Sequence, residues 1–178
     1  MNFVPAQFEM LETSVKRLSA RVPDTPELCI LIVRVLQQLA RGLSEMVEQQ
    51  LRPFGLAEAE FRVLMTLFSQ PEGVGHPTDL CARTSQRPAN MSRICDALVA
   101  RDLITRISSD HDRRRMVLRI TARGEELVRR MLPVLFPALR ELFEGLSQQE
   151  HSLLLQLLQG VAGKLDSVTA RHAAERSV

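Results

Sequence analysis

Two short segments of this 178-residue chain, Leu103 to Ile107 and Met116 to Ile120, alternate apolar with polar side chains. Between them stands an unbroken polar run, Ser108-Ser109-Asp110-His111-Asp112-Arg113-Arg114-Arg115. Alternation with period two buries one face of a strand, so the pair reads as an antiparallel hairpin with a charged tip. What comes before narrows the fold further. Thr78 to Arg83 and Pro88 to Arg101 read as two short helices separated by Thr84-Ser85-Gln86-Arg87. The order is therefore helix, turn, helix, strand, arginine-tipped hairpin, strand, which is that of a winged helix-turn-helix. A short second helix of this kind fits the major groove of duplex DNA and offers its early residues to base edges.

The flanking segments are helical. Thr25-Pro26-Glu27 has the form of a helix start, with a hydroxyl cap, proline in the first turn and an acid behind it. This helix runs to about Arg52, where Pro53 and Gly55 stop it. Its opening stretch, Leu28 to Leu36, is apolar except for Arg34. A helix apolar on all sides must be covered on all sides, which in so small a chain points to a second subunit. Glu58 to Ser69 is a further helix, with Phe61, Leu64, Met65 and Phe68 at helical spacing, and Pro71 to Pro77 is a loop. Thr121 opens a helix over Arg123 to about Gly145, kinked by Pro133 and Pro137. Ser147-Gln148-Gln149-Glu150 is a capping box for the next helix. That helix carries Leu154, Leu158, Val161, Leu165 and Val168 at alternating spacings of four and three, a seam that requires a partner helix.

The expected fold is thus mostly α with a small β-hairpin wing. It comprises an N-terminal extension (1–24), a helical dimerisation region (25–56 and 125–170), a winged helix-turn-helix (57–124) and a frayed tail (171–178).

Charge follows the same division. Residues 1–75 carry 7 basic and 9 acidic side chains, residues 76–125 carry 10 and 6, and residues 126–178 carry 6 and 6. The whole net charge of +2 therefore arises in the central block, and 21 of the 23 basic residues are arginine, whose planar fork suits phosphate and guanine edges. Asn90 and Arg93 are the side-chain types that pair bidentately with adenine and guanine. With Arg87, Ala89 and Ser92 they form the candidate reading face of the second helix, while Met91, Ile94, Cys95 and Leu98 face inward. The hairpin tip, with Arg113, Arg114 and Arg115, suits a narrow minor groove, and Asp110 or Asp112 can pair with an arginine and fix the loop.

Other classes of function lack support. No G-x-G-x-x-G, P-loop or G-x-S-x-G is present, and the chain is read as no enzyme. His76, His111, His151 and His172 are scattered, so no metal site and no cofactor are expected. Leu28 to Leu36 is far short of the roughly 18 residues of a membrane span, and Met1 to Ser19 lacks a signal peptide's apolar run. A soluble, cytoplasmic protein without a membrane partner is expected. Cys29, Cys81 and Cys95 are too few and too widely spaced for a disulfide framework, and they read as small apolar packing groups.

The same residues resemble the MarR family of bacterial winged-helix regulators. Thr78-Asp79-Leu80-Cys81-Ala82-Arg83 is similar to its first motif helix, and Arg87 to Arg93 occupies the recognition-helix slot. Ala97-Leu98-Val99-Ala100-Arg101-Asp102-Leu103-Ile104 is similar to the helix exit, with Asp102 where glycine is common. Asp112-Arg113-Arg114, Val117 to Ile120 and Thr121-Ala122-Arg123-Gly124 resemble the wing and its exit. The Arg34 context, Phe61 and the Ser-Asp-x-Asp-Arg-Arg wing look most like repressors of multidrug efflux pumps.

The resemblance implies a homodimer of intertwined terminal helices on a pseudo-palindromic double-stranded DNA operator, with Arg114 entering the minor groove and Asp112 bracing it. It implies a repressor released by a small aromatic or hydrophobic, often anionic, effector. The pocket would lie between the dimerisation helices and the DNA-binding lobe, with Arg34, Arg41, Glu58 and Leu135 as candidates; ion pairing between helices is the other reading of the two arginines. Two alternatives stand beside this one. A helical protein–protein interaction dimer explains the apolar seams but not the arginine tip. A redox sensor acting through Cys29 lacks the tyrosines that tune such a thiolate, for the chain has none.

Overall fold

The structure, a computed structural model, describes residues 5–108 and 116–175. Helix α1 (Pro5–Ser19) is followed by α2 (Glu27–Leu51), a single 3₁₀ turn (Arg52–Phe54) and α3 (Glu58–Phe68). Then come β1 (Val74–Gly75), α4 (Pro77–Thr84), α5 (Pro88–Ala100), β2 (Ile104–Ser108), β3 (Met116–Ile120), α6 (Ala122–Leu142) and α7 (Gln148–Glu175). Among the described residues no helix is long and apolar enough to cross a membrane. The mostly helical fold with a small antiparallel sheet is the one read from the sequence.

The chain divides into two compact units, residues 1–135 and 136–178. In the first, apolar residues at helical spacing on α3, α4 and α5 converge with the wing strands on one core. Leu64, Leu67, Leu80, Met91, Leu98 and Leu118 are each no more than 2% exposed. The α6 stripe Val128, Met131 and Leu135 joins the same cluster. In the second unit α7 begins at the expected capping box: Ser147 N–H donates to Glu150 Oε2 at 2.7 Å and Glu150 N–H to Ser147 Oγ at 3.3 Å. The seam residues Leu154, Leu158, Val161, Leu165 and Val168 are all exposed on the single chain.

The sheet has the order β1-β3-β2, antiparallel throughout, with Ile104 opposite Ile120 and Arg106 opposite Leu118. Strand β1 lies in the segment expected to be a loop. Its two residues carry no alternation to read, and Val74 opposite Arg119 is a pairing that only the folded hairpin offers.

The N-terminal extension, to which no element is assigned from sequence, contains the helix α1, which packs on α2 and buries Val15. Three further expectations are corrected. Thr25 does not cap α2: Pro26 is the cap residue, and the Thr25 hydroxyl instead donates to Val22 C=O at 2.6 Å. The helix α6 continues through Pro133 and Pro137 to Leu142, short of Gly145. The helix α7 persists to Glu175 rather than fraying after Ala170, because Arg171 to Glu175 contain neither glycine nor proline to stop it.

Candidate nucleic-acid interface

Both motif helices begin the same way. Pro77 and Pro88 occupy the first turn, where a missing N–H costs nothing, and each forces the residue before it, His76 or Arg87, into an extended conformation. Helix α4 ends on Ser85 at φ 54°, a left-handed residue that lets Gln86 N–H reach back to Cys81 C=O at 3.0 Å. This tight reversal sets α5 across α4.

Helix α5 then presents two different faces. Met91, Ile94, Cys95 and Leu98 are buried. Arg87, Ala89, Ser92 and Arg93 are exposed, whereas Asn90 is only half-buried rather than open to solvent. Its amide is engaged at both ends, donating to Gln86 Oε1 and accepting from Arg93 Nη2 at 2.9 Å. Gln86 thus belongs to the same surface chain and was missed from sequence, although its place four residues before Asn90 on a helical spacing was a usable signal. Asp96, also exposed on α5, pairs with Arg106 of β2 and was likewise missed.

Not all the basic excess is free to meet an anion. Arg101, at the end of α5, donates through Nη1 to Gly55 C=O at 2.7 Å and through Nη2 to Phe54 C=O at 3.0 Å. Its guanidinium also lies 3.7 Å from Glu60, whose carboxylate accepts the Ala57 N–H at the start of α3. Arg101 is a clamp between motif and turn. Arg119 on β3 remains exposed. Asp112, Arg113, Arg114 and Arg115, the candidate wing tip, lie outside the described residues.

The hairpin is seated by a second set of contacts. Asp102 takes φ 57°, the conformation that glycine adopts most easily. The Thr121 hydroxyl donates to Asp102 C=O at 2.8 Å and accepts Gly124 N–H at 3.0 Å. Gly124 lies so close to the chain leaving α5 that a Cβ there would stand 2.2 Å from Leu103 O.

The candidate effector residues separate. Arg34 and Arg41 share a groove of about 400 Å³ between α1 and α2, with Met10, Leu11, Ser14, Gln37 and Gln38. Neither has an ion-pair partner among the described residues. Glu58 and Leu135 do not line this groove. Glu58 accepts Arg62 Nε at 2.9 Å one turn along α3, and Leu135 is 5% exposed in the core, on the buried stripe of α6. A second cavity, of about 280 Å³, lies against α4, α5 and the wing strands and is lined by Cys81, Cys95, Met91, Met116 and Arg106, among others.

The cysteines differ from expectation in one case. Cys95 is buried, and burial pushes its thiol up, partly opposed by the positive charge of Arg106. Cys81 is half-buried, but Cys29 is exposed on the single chain, because the apolar face around it has nothing over it there.

A protein-family model described as the MarR family matches residues 54–115, from the 3₁₀ turn before α3 through both motif helices and β2. Among characterised proteins, the transcriptional repressor MprA of Escherichia coli is 34% identical over 164 residues, covering 92% of this chain and 93% of its own. Among solved structures, AbsC, a MarR family transcriptional regulator from Streptomyces coelicolor, superposes with a TM-score of 0.72 at 25% identity, covering 82% of this chain and 97% of that one. A mutant MarR from E. coli complexed with operator DNA has the same fold, with a TM-score of 0.68 at 22% identity, covering 78% of this chain and 98% of that one. With a relative this similar over nearly the full length of both proteins, and a motif whose two helices, turn and first hairpin strand fall where the family model lies, the chain belongs to the MarR family of helix-turn-helix transcription regulators.

Proposed function

We propose that the protein is a homodimeric repressor that reads a pseudo-palindromic operator in double-stranded DNA through two copies of α5. The observation that carries this reading is the exposed face of α5, where Arg87, Ala89, Ser92 and Arg93 project from a helix start that no side chain caps. Uncapped first-turn N–H groups favour phosphate, and the arginines beside them can reach base edges. Asn90 would read a base after exchanging its partners Gln86 and Arg93 for base atoms. Arg113, Arg114 and Arg115, braced by Asp112, would enter the flanking minor groove.

The dimer covers what the single chain leaves bare. Leu28, Ile32 and Val33 of α2 and the leucine-rich α7 are exposed apolar surface on a scale that monomeric proteins rarely tolerate. Two recognition helices held by such termini would span adjacent major grooves about 34–36 Å apart. The effector we assign to the protein is a small aromatic or hydrophobic anion. Supporting it are the two guanidiniums of Arg34 and Arg41, without carboxylate partners among the described residues, in a groove flanked by Met10 and Leu11. A ligand favouring the wrong half-site spacing would lower operator affinity by a coupling free energy of about 1–3 kcal/mol. The wing and first-helix resemblance supports efflux genes as the target of this control, which a DNA-binding regulator of this kind would exert in the cytoplasm.

The test is selection of bound sites from random duplexes, followed by gel shift with variants. Arg93→Ala should relax sequence preference by about 1–3 kcal/mol at one base position, and Arg114→Ala should weaken binding to operator strongly. Unchanged discrimination between operator and random DNA in Arg93→Ala, with full affinity in Arg114→Ala, would refute the reading.

A further inference from the structure

The cavity behind α5 gathers sulfur from three separate elements. Cys81 comes from α4, Met91 and Cys95 from α5, and Met116 from the first position of β3. Core packing alone accounts for Met91 at 2% exposure and Cys95 at 3%. It does not account for Met116, which is 44% exposed yet lines the same space as the half-buried Cys81. Both thiols, Cys81 and Cys95, line this one cavity.

We propose that this cavity binds one soft monovalent cation of the Cu(I) class, held by the sulfurs of Cys81 and Cys95 with the Met91 and Met116 thioethers completing the donor set. Thiolate and thioether donors select such ions over harder ones. Among the described residues no three His, Cys, Asp or Glu side chains gather, so zinc lacks its usual ligands anywhere in that part of the chain. The exchange balances without redox chemistry. Two S–H bonds break, two metal–sulfur bonds form, both protons leave to solvent, and the metal keeps its oxidation state. The resulting bis-thiolate complex carries one negative charge, which Arg106, lining the same cavity while also paired with Asp96, offsets only in part. Because the donors come from both motif helices and from the base of the wing, a bound ion ties the recognition helix to the hairpin. Occupancy then alters operator affinity.

Silver(I) is a redox-silent probe for the site, and the full-length Cys29→Ser chain removes the one cysteine outside the cavity. Titration followed by calorimetry and native mass spectrometry should show one Ag(I) retained per chain, with release of about two protons. Cys81→Ser and Met116→Leu, at the two less buried positions, should each weaken binding by about tenfold or more, while circular dichroism shows the fold retained. Cys95→Ala should abolish tight binding. Failure of the Cys29→Ser chain to retain Ag(I), or retention at unchanged affinity in folded Cys81→Ser, would overturn the proposal. The titration contains no DNA, so a chain that holds Ag(I) yet ignores duplexes would uphold this site and refute the repressor reading.

Discussion

Adding one methyl group at Gly124 tests how the wing is joined to the rest of the DNA-binding lobe. Gly124 lies within α6, where alanine normally stabilises a helix by about 1 kcal/mol over glycine. Here the sign should reverse. A Cβ at this position would stand 2.2 Å from Leu103 O, 2.8 Å from Ile120 Cγ1 and 3.1 Å from Leu103 C. The nearest of these atoms is backbone, so no rotamer change relieves the contact. Either α6 or the chain between α5 and β2 must move by roughly an ångström, and overpacking of this kind costs about 1–3 kcal/mol. Taking the upper end because backbone is involved, and subtracting the helix gain, Gly124→Ala should lose about 2 kcal/mol. In a chain of this length the melting temperature would fall by about 4–8 °C. Chemical and thermal denaturation at a fixed protein concentration measure both quantities, since association would otherwise shift the midpoint. Operator affinity of the folded fraction should fall too, because Leu103 leads directly into β2. A Gly124→Ala protein as stable as its parent would refute the reasoning.

Three further outcomes are expected. Arg101→Ala should cost about 1–2 kcal/mol through loss of its bonds to the Phe54 and Gly55 carbonyls, and Arg101→Lys should not restore it, because a single ammonium cannot replace the fork; denaturant midpoints decide. Removal of residues 147–178 should yield monomers or insoluble protein, and a stable dimer by sedimentation would show α7 to be dispensable. The Ser147 hydroxyl and backbone N–H hold the exposed Glu150 carboxyl below its ordinary range. A lowered folded-state pKa means the contribution of this cap is fully present above the unfolded value and is lost as pH falls through the lower folded one. Carboxyl titration followed by NMR should place Glu150 below its value in a Ser147→Ala chain.

The elements written into short stretches of chain were legible in advance. Pro88 starts a helix, Ser147 and Glu150 reciprocally cap one, and Met116 to Ile120 form the strand their alternation predicts, whereas Pro77, read as the end of a loop, opens α4. The buried face of α5 followed from helical spacing alone, and Asp102, standing where glycine is common in the family, does take the left-handed conformation. Other features were not legible. Two residues cannot signal a strand, so β1 emerged only as a partner for β3, and Asn90 looked open until Gln86 and Arg93 occupied its amide.

Local order in this protein is thus a property of the sequence itself, because capping, proline geometry and periodicity act between residues a few positions apart. The tertiary structure alone decided which arginines remain available to an anion. It joined Arg101 to a carbonyl 46 residues away, paired Arg106 with Asp96, and left Arg87, Arg93 and Arg119 exposed. It alone brought Gly124 against Leu103 and gathered Cys81, Met91, Cys95 and Met116 around one cavity. Contacts between distant segments depend on how whole elements pack, and no short window of sequence carries that information.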